Sequence, residues 1–193
     1  LAFKGSIVIP EGVTSIGQYA FEKCSGMDGT LSLPSGLETI GNYAFSECSK
    51  LTGGITLPDT LTQLGTYTFN KCSNINGELV LSKNLKNIPQ AAFSNCSSMI
   101  GSVDIPEGVQ KINANAFQGC SSLNGTLTIP ETVDTIGAYA FDQCSLLTGT
   151  LTIPGKVTNV SNYAFDACSG FDALKLSDSI TTIGNYAFAD CDG

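Results

Sequence analysis

Eight cysteines are the residues in this chain best suited to chemistry, and they stand at 24, 48, 72, 96, 120, 144, 168 and 191. Thiolates act as nucleophiles, metal ligands and disulfide partners, but each role demands its own spacing. Here six intervals of 24 residues are followed by one of 23, and no C-x-x-C occurs. Single ligands so far apart do not gather four sulfurs round one ion. Equivalent positions of a repeat point the same way, in single file about 5 Å apart, the separation of neighbouring strands. Such Cα distances permit a disulfide, whereas parallel Cβ vectors do not. The expectation is eight reduced thiols facing inward as small hydrophobes.

Residue types exclude most other chemistry. Among the 193 residues there is no His and no Trp, and all nine basic residues are Lys. Imidazole acid–base catalysis, His metal ligands and arginine clamps are therefore absent. Ser and Thr abound without a base in a G-x-S-x-G or comparable setting, so neither an enzyme nor a cofactor is expected. A net charge of −8, with 13% charged residues, offers no phosphate-neutralising surface for nucleic acid. No apolar run reaches the roughly 18 to 20 residues of a membrane span. Asp28, Glu78, Asp104, Asp166 and Asp190 are scattered and read as solvated surface. Asp190-Cys-Asp192-Gly193 opens like a calcium loop but lacks the remaining ligands. Asn95, Asn124 and Asn159 lie in N-x-S/T sequons, and Asn124-Gly125 is more simply a turn signal.

The cysteine period points to stacked repeats, because intervals of about 20 to 50 residues mark solenoids and arrays. Cutting after each Cys gives one domain, 1–193, of eight units: 1–24, 25–48, 49–72, 73–96, 97–120, 121–144, 145–168 and 169–191. A column is a position within the unit. Columns 7 and 9 are apolar and columns 6 and 8 mostly Ser or Thr, the alternation of a short half-buried strand, which Pro in column 10 ends. Columns 13 and 16 are aliphatic, a spacing that fits either a turn of helix or a second strand; their Val, Ile and Thr favour the strand. Gly5 recurs in every unit but the shortened eighth, which predicts a turn or bulge with positive φ. Phe fills column 21 in all eight units and should form an internal spine of rings.

The stretch Cys120-Ser-Ser-Leu123-Asn-Gly-Thr-Leu127-Thr-Ile129-Pro130-Glu-Thr-Val133-Asp-Thr-Ile136-Gly137-Ala-Tyr-Ala140-Phe141 resembles the unit of BspA-like bacterial leucine-rich repeats, with one residue inserted at Gly125. The resemblance covers the whole chain. It departs from the general leucine-rich pattern in lacking the strand-following Asn, so no asparagine ladder is carried over. The expected fold is mainly β with short helical turns: a right-handed leucine-rich-repeat solenoid with a parallel β-sheet of about eight strands, one strand per 23/24-residue repeat besides the second short strand. The resemblance also implies a secreted or cell-surface protein that binds host or neighbouring-cell proteins, with no catalytic residues to transfer. A structural spacer or stalk is the alternative.

Two surfaces are candidates for contact with an extracellular protein or glycan. Columns 6 and 8 bring together Thr30, Ser32, Thr56, Asp104, Thr126, Thr128, Thr150 and Thr152. Such hydroxyl rows suit recognition, and equally are what an exposed strand face prefers. Column 19 holds every tyrosine, among them Tyr43, Tyr67, Tyr139 and Tyr163, which either anchor a partner or stack to shield the core edge. The column breaks at Ala91 and Asn115, in units where Pro89 and Asn113 replace the bend Gly and Ser82 replaces Pro. A local notch is expected there. The pattern runs unchanged to both termini without a cap, so the chain reads as a fragment of a longer one, with end-to-end self-association as the other way to cover its ends.

Overall fold

A 24-residue unit with one apolar face per strand cannot bury that face by itself, and stacking supplies the missing wall. The structure, a computed structural model, describes residues 3–192. Each unit contributes a front strand at columns 7–8 and a side strand at columns 15–16. In units 1 to 4 these are β1 (Ile7–Val8), β2 (Ser15–Ile16), β3 (Leu31–Ser32), β4 (Thr39–Ile40), β5 (Ile55–Thr56), β6 (Gln63–Leu64), β7 (Leu79–Val80) and β8 (Asn87–Ile88). Units 5 to 8 add β9 (Val103–Asp104), β10 (Lys111–Ile112), β11 (Leu127–Thr128), β12 (Thr135–Ile136), β13 (Thr150–Thr152), β14 (Asn159–Val160), β15 (Ala173–Lys175) and β16 (Thr182–Ile183). All pairing is parallel and in column register, as in Ile7 with Leu31 and Ile112 with Ile136. This is a parallel β-solenoid, and the second strand per unit is present.

The short helical turns are not: no helix occurs among the described residues, and columns 18–24 are successive turns. Columns 19 and 23 are left-handed in every unit, from Tyr19 (φ 60°) and Lys23 (φ 57°) to Tyr186 (φ 55°) and Asp190 (φ 49°). A side chain in that region costs about 1 kcal/mol, so a repeated gain must offset it. The gain is a change in which way alternate amides face. Tyr19, Phe21 and Lys23 donate N–H to the carbonyls of Asn42, Ala44 and Ser46 in the next unit at 2.7–2.9 Å. Ala20, Glu22 and Cys24 donate back three residues to Gly17, Tyr19 and Phe21. The turn segment thereby joins the stack through its backbone, as a strand would.

The core runs the length of that stack. Phe rings from Phe21 to Phe188 form one continuous pile, with centroids 5.1–5.7 Å apart and planes within 12° of parallel. Beside it, each thiol from Cys48 to Cys191 donates to the column-21 carbonyl of the preceding unit, as Cys96 Sγ does to Phe69 O at 3.2 Å. All eight cysteines are free. Burial pushes the Cys48 and Cys120 thiols up to about 12, because a thiolate in an apolar interior loses its hydration.

The expected continuous sheet of eight front strands is also corrected. Front strands pair two by two, β1–β3, β5–β7, β9–β11 and β13–β15, whereas the side strands form runs of three and five. The column-5 glycines show why the front alternates. Gly5, Gly53, Gly101 and Gly149 have φ of 78–91°, and each donates its N–H to the column-4 Asp or Asn of the next unit: Asp28, Asn76, Asn124 and Asp172. The glycines between them, Gly29, Gly77 and Gly125, lack the positive φ that the sequence suggested. They are small for another reason: a Cβ on any of the three would stand 2.8 Å from the carbonyl carbon of the preceding unit's glycine. Two loop conformations therefore alternate, and the structural period of the front is two units.

Thiol titration of the native protein should leave the six buried cysteines, Cys48 to Cys168, unreactive at neutral pH, and denaturation without reductant should release all eight. Recovery of fewer than half on unfolding would mean disulfides. Phe117→Ala, in the middle of the ring pile, should cost about 3 to 5 kcal/mol in denaturant unfolding, against less than about 0.5 kcal/mol for the exposed Thr126→Ala.

Candidate functional site

Where front strands do not pair, the surface opens. In units 1, 3 and 5 the column-7 and column-9 amides cross to the next unit: Ile7 to Thr30 O, Ile55 to Glu78 O and Val103 to Thr126 O at 2.8–2.9 Å. No such bond leaves Leu31 and Leu33, Leu79 and Leu81, or Ile129. Between units 2 and 3, and between 6 and 7, a bridge outside the strands still ties the loops, at Thr30 to Thr52 and Thr126 to Thr148. Between units 4 and 5 the equivalent residues are Glu78 and Ile100; they form no bridge, and Ile100 N–H reaches Gly77 O at 3.3 Å, against 2.9 Å for Thr52 and Thr148 at the other two boundaries.

A groove of about 660 Å³ occupies that boundary. Its floor is aliphatic, from Leu79, Val80, Leu81 and Ile105, and Glu78, Asp104 and Glu107 border it. Val80 is 49% exposed where units 2, 3, 6 and 7 carry Ser or Thr. Among the described residues none of the three carboxylates makes an ion pair; the one lysine at the rim, Lys83, is engaged with Asp59 at 3.4 Å. That contact belongs to a patch that fixes unit 4 to unit 3. The buried Ser82 hydroxyl, in the proline column, donates to Leu61 O at 2.7 Å, and Asn84 Nδ2 donates to Asp59 O at 2.7 Å. The Lys83 backbone N–H is the main cause that holds the Asp59 carboxyl below its usual range, with the ammonium adding to it.

The expected notch at Pro89 is present on the side ladder, where β6 and β8 do not pair. The column-17 amides of Gly41, Asn113, Gly137 and Gly184 donate to the preceding side strand, as Gly41 does to Ile16 O and Asn113 to Ile88 O. Proline has no N–H for Leu64, and a hollow of about 620 Å³ follows, lined in part by Leu64, Pro89 and Asn113. Unit 4 is thus loosened from unit 3 on the side and from unit 5 at the front.

Against this geometry the sequence candidates separate. Thr30, Ser32, Thr56, Asp104, Thr126, Thr128, Thr150 and Thr152 all lie exposed on the front face. Ser32 and Thr56 line a smaller groove of about 450 Å³ between units 2 and 3, and Asp104 alone of the set lines the larger one. Tyr43, Tyr67, Tyr139 and Tyr163 are half-buried in the turn segment and line neither front groove. They stack in two files of three, Tyr19–Tyr43–Tyr67 and Tyr139–Tyr163–Tyr186, at 4.7–5.2 Å. Glu78, Val80 and Glu107 were not among the candidates. The signal for the first two was their departure from the Ser/Thr rule of columns 6 and 8.

Column 22 carries a second electrostatic feature. Asp142 and Asp166 stack in successive units, with Asp190 one column further on in the last unit; Gln118 Nε2 donates to Asp142 Oδ2 at 2.9 Å, while Asp166 Oδ1 is covered and has no partner. Desolvation chiefly, then the charges of Asp142 and Asp190, pushes the Asp166 carboxyl above its ordinary value.

The BspA-type leucine-rich-repeat family model matches residues 4–124 and 98–193, in six copies. The chain belongs to that family. A leucine-rich-repeat protein of T. pallidum has the same architecture at 26% identity and a TM-score of 0.64, over 97% of this chain and 76% of that one. A leucine-rich-repeat protein from Bacteroides ovatus (21% identity, TM-score 0.57) and a leucine-rich cell surface protein from Faecalibacterium prausnitzii (22%, 0.59) share the fold over 97% and 93% of this chain. This BspA-type chain spans 64% and 65% of those two structures, just under two thirds of their length. No curated protein gives a significant match.

Because the Asp166 carboxyl is raised in the folded state, its contribution to stability is complete below the unfolded value near 4 and is lost as pH rises through the folded value. Asp166→Asn should therefore melt like the parent in acid and higher than the parent at neutral pH. A Tm difference that does not grow with pH would show that the column carries no such repulsion.

Proposed function

We propose that this BspA-type solenoid is a non-catalytic recognition module, displayed on a cell surface or secreted, that binds an extracellular protein or glycan through its front face. One observation carries the reading: buried columns repeat almost without change, while the exposed front columns change character in units 4 and 5. Phe, Cys and the aliphatic columns follow from stacking alone. Nothing in stacking calls for Glu78, Val80 and Asp104 where units 2, 6 and 7 place hydroxyls in both columns. The pattern of small, regular side chains interrupted by one apolar and charged patch suits a surface that discriminates among partners. The cell-surface description of the Faecalibacterium relative supports the location. The family's repeat architecture, and a chain without His or Arg, support a role without catalysis.

The competing reading is a spacer, favoured by the uninterrupted Phe pile that gives the molecule its lengthwise uniformity. Protein and glycan arrays probed with the purified chain separate the two. Recognition predicts saturable binding to at least one ligand, abolished by Thr128→Lys on the front strand and kept by Thr135→Lys on the side strand. Binding to nothing, or equal loss with both variants, would leave the spacer.

A further inference from the structure

We propose that the groove between units 4 and 5 is the contact point of that front face, and that it takes a short extended segment of a protein partner in which an aliphatic side chain is flanked by Lys or Arg. The inference rests on the recognition reading and narrows it to one occupant. Three properties of the groove select that chemistry.

The first is charge. Glu78, Asp104 and Glu107 stand around the groove without an ion pair among the described residues, and Lys83, the one cation at the rim, is turned toward Asp59. With a net charge of −8 on the whole chain, the long-range field favours the same basic partner that the groove favours at contact. The second is the floor. Leu79 and Leu81 are nearly buried, while Val80 is half exposed with no neighbour over it, so an aliphatic side chain gains apolar contact on all sides. None of the lining residues is aromatic, which removes the usual platform for stacking a sugar and favours a peptide over a glycan.

The third is the backbone. The Leu79 and Leu81 amides and the Ser102 and Asp104 carbonyls would pair with each other if β7 and β9 joined as β5 and β7 do. They do not, so the groove presents backbone donors on one side and acceptors on the other. An extended chain offers the complementary groups at the strand repeat, a recurrent way of holding a peptide at an open sheet edge. In units 2–3 and 6–7 a loop bridge holds the same boundary through amide bonds of 2.9 Å; here no bridge forms and Ile100 keeps only the longer bond to Gly77 O at 3.3 Å.

The test uses two blocked pentapeptides, acetyl-Lys-Leu-Lys-Val-Lys-amide and its counterpart with Glu at each Lys, titrated into the whole chain with isotope-labelled methyl groups. The basic peptide should shift the methyl signals of Leu79, Val80, Leu81, Val103 and Ile105, and the acidic one should shift none. Val80→Thr, which installs the residue found at that column in units 3, 6 and 7, and the double variant Glu78→Gln with Asp104→Asn should each weaken binding about ten-fold, the scale of one well-placed contact. Both variants lie on the surface, and an unchanged Tm confirms their fold. Equal binding of the two peptides, unaltered affinity in both variants, or no shift at millimolar peptide would overturn the groove. Shifts that instead follow Thr126, Thr128, Thr150 and Thr152 would overturn it while leaving recognition by the front face standing.

Discussion

Every feature of this molecule depends on a single translation of about 5 Å, the distance at which one extended backbone can lie on another. At that spacing a residue meets its own counterpart above and below, so each column must tolerate itself. Phenylalanine does so by offset stacking, cysteine by donating its S–H in a hydrogen bond to a carbonyl of the turn beneath, and glycine or alanine by leaving room. Carboxylates do so poorly. The pair Asp142–Asp166 brings like charges together at the backbone spacing, with Asp190 adding its charge from column 23, and the chain otherwise varies column 22 through Glu, Ser, Asn, Gln and Ala.

The same rule decides what could be read before the fold was known. Inward columns announced themselves, because a repeated Phe or Cys has one explanation, and the solenoid, its parallel pairing and its second strand follow from them. The tyrosine files and the break at Pro89 were readable for the same reason: a missing side chain or a missing N–H acts on its immediate neighbour. Three things were not. The turn segment resembles a helical turn in composition, yet left-handed residues at columns 19 and 23 redirect its amides toward the next unit, and Tyr or Lys at those positions gives no warning. The continuous front sheet failed because the two loop types alternate. That alternation was written in column 4, where Asp28, Asn76, Asn124 and Asp172 take turns with Lys4, Thr52, Ile100 and Thr148, but a search at 24 residues averages it away. Of the groove between units 4 and 5, the candidates include only Asp104, since the groove is made by an unmade strand pair, and unmade bonds leave no residue of their own.

Repetition and recognition pull in opposite directions here. A perfectly uniform stack would be easiest to propagate and would offer a partner the same weak contact eight times over. Unit 4 breaks uniformity at little cost to the core: Leu79, Leu81, Leu85 and Ile88 remain buried, Phe93 keeps its place in the pile, and Ser82 replaces the lost proline with hydrogen bonds across to unit 3. The irregularity leaves the Phe pile and the aliphatic columns in place. Surface individuality is thus obtained without disturbing the axis that holds the molecule together.

The paired loops have a consequence for how such a molecule can grow. A positive-φ glycine needs the acceptor of the unit that follows it, so the self-consistent module is 48 residues, from one bulged loop through the unit that caps it. Copying a single unit within a gene would set two bulged loops, or two tight ones, side by side and strand an amide or force a clash. Copying two preserves every partner. A solenoid of this design therefore extends without a mismatched loop only by whole doublets.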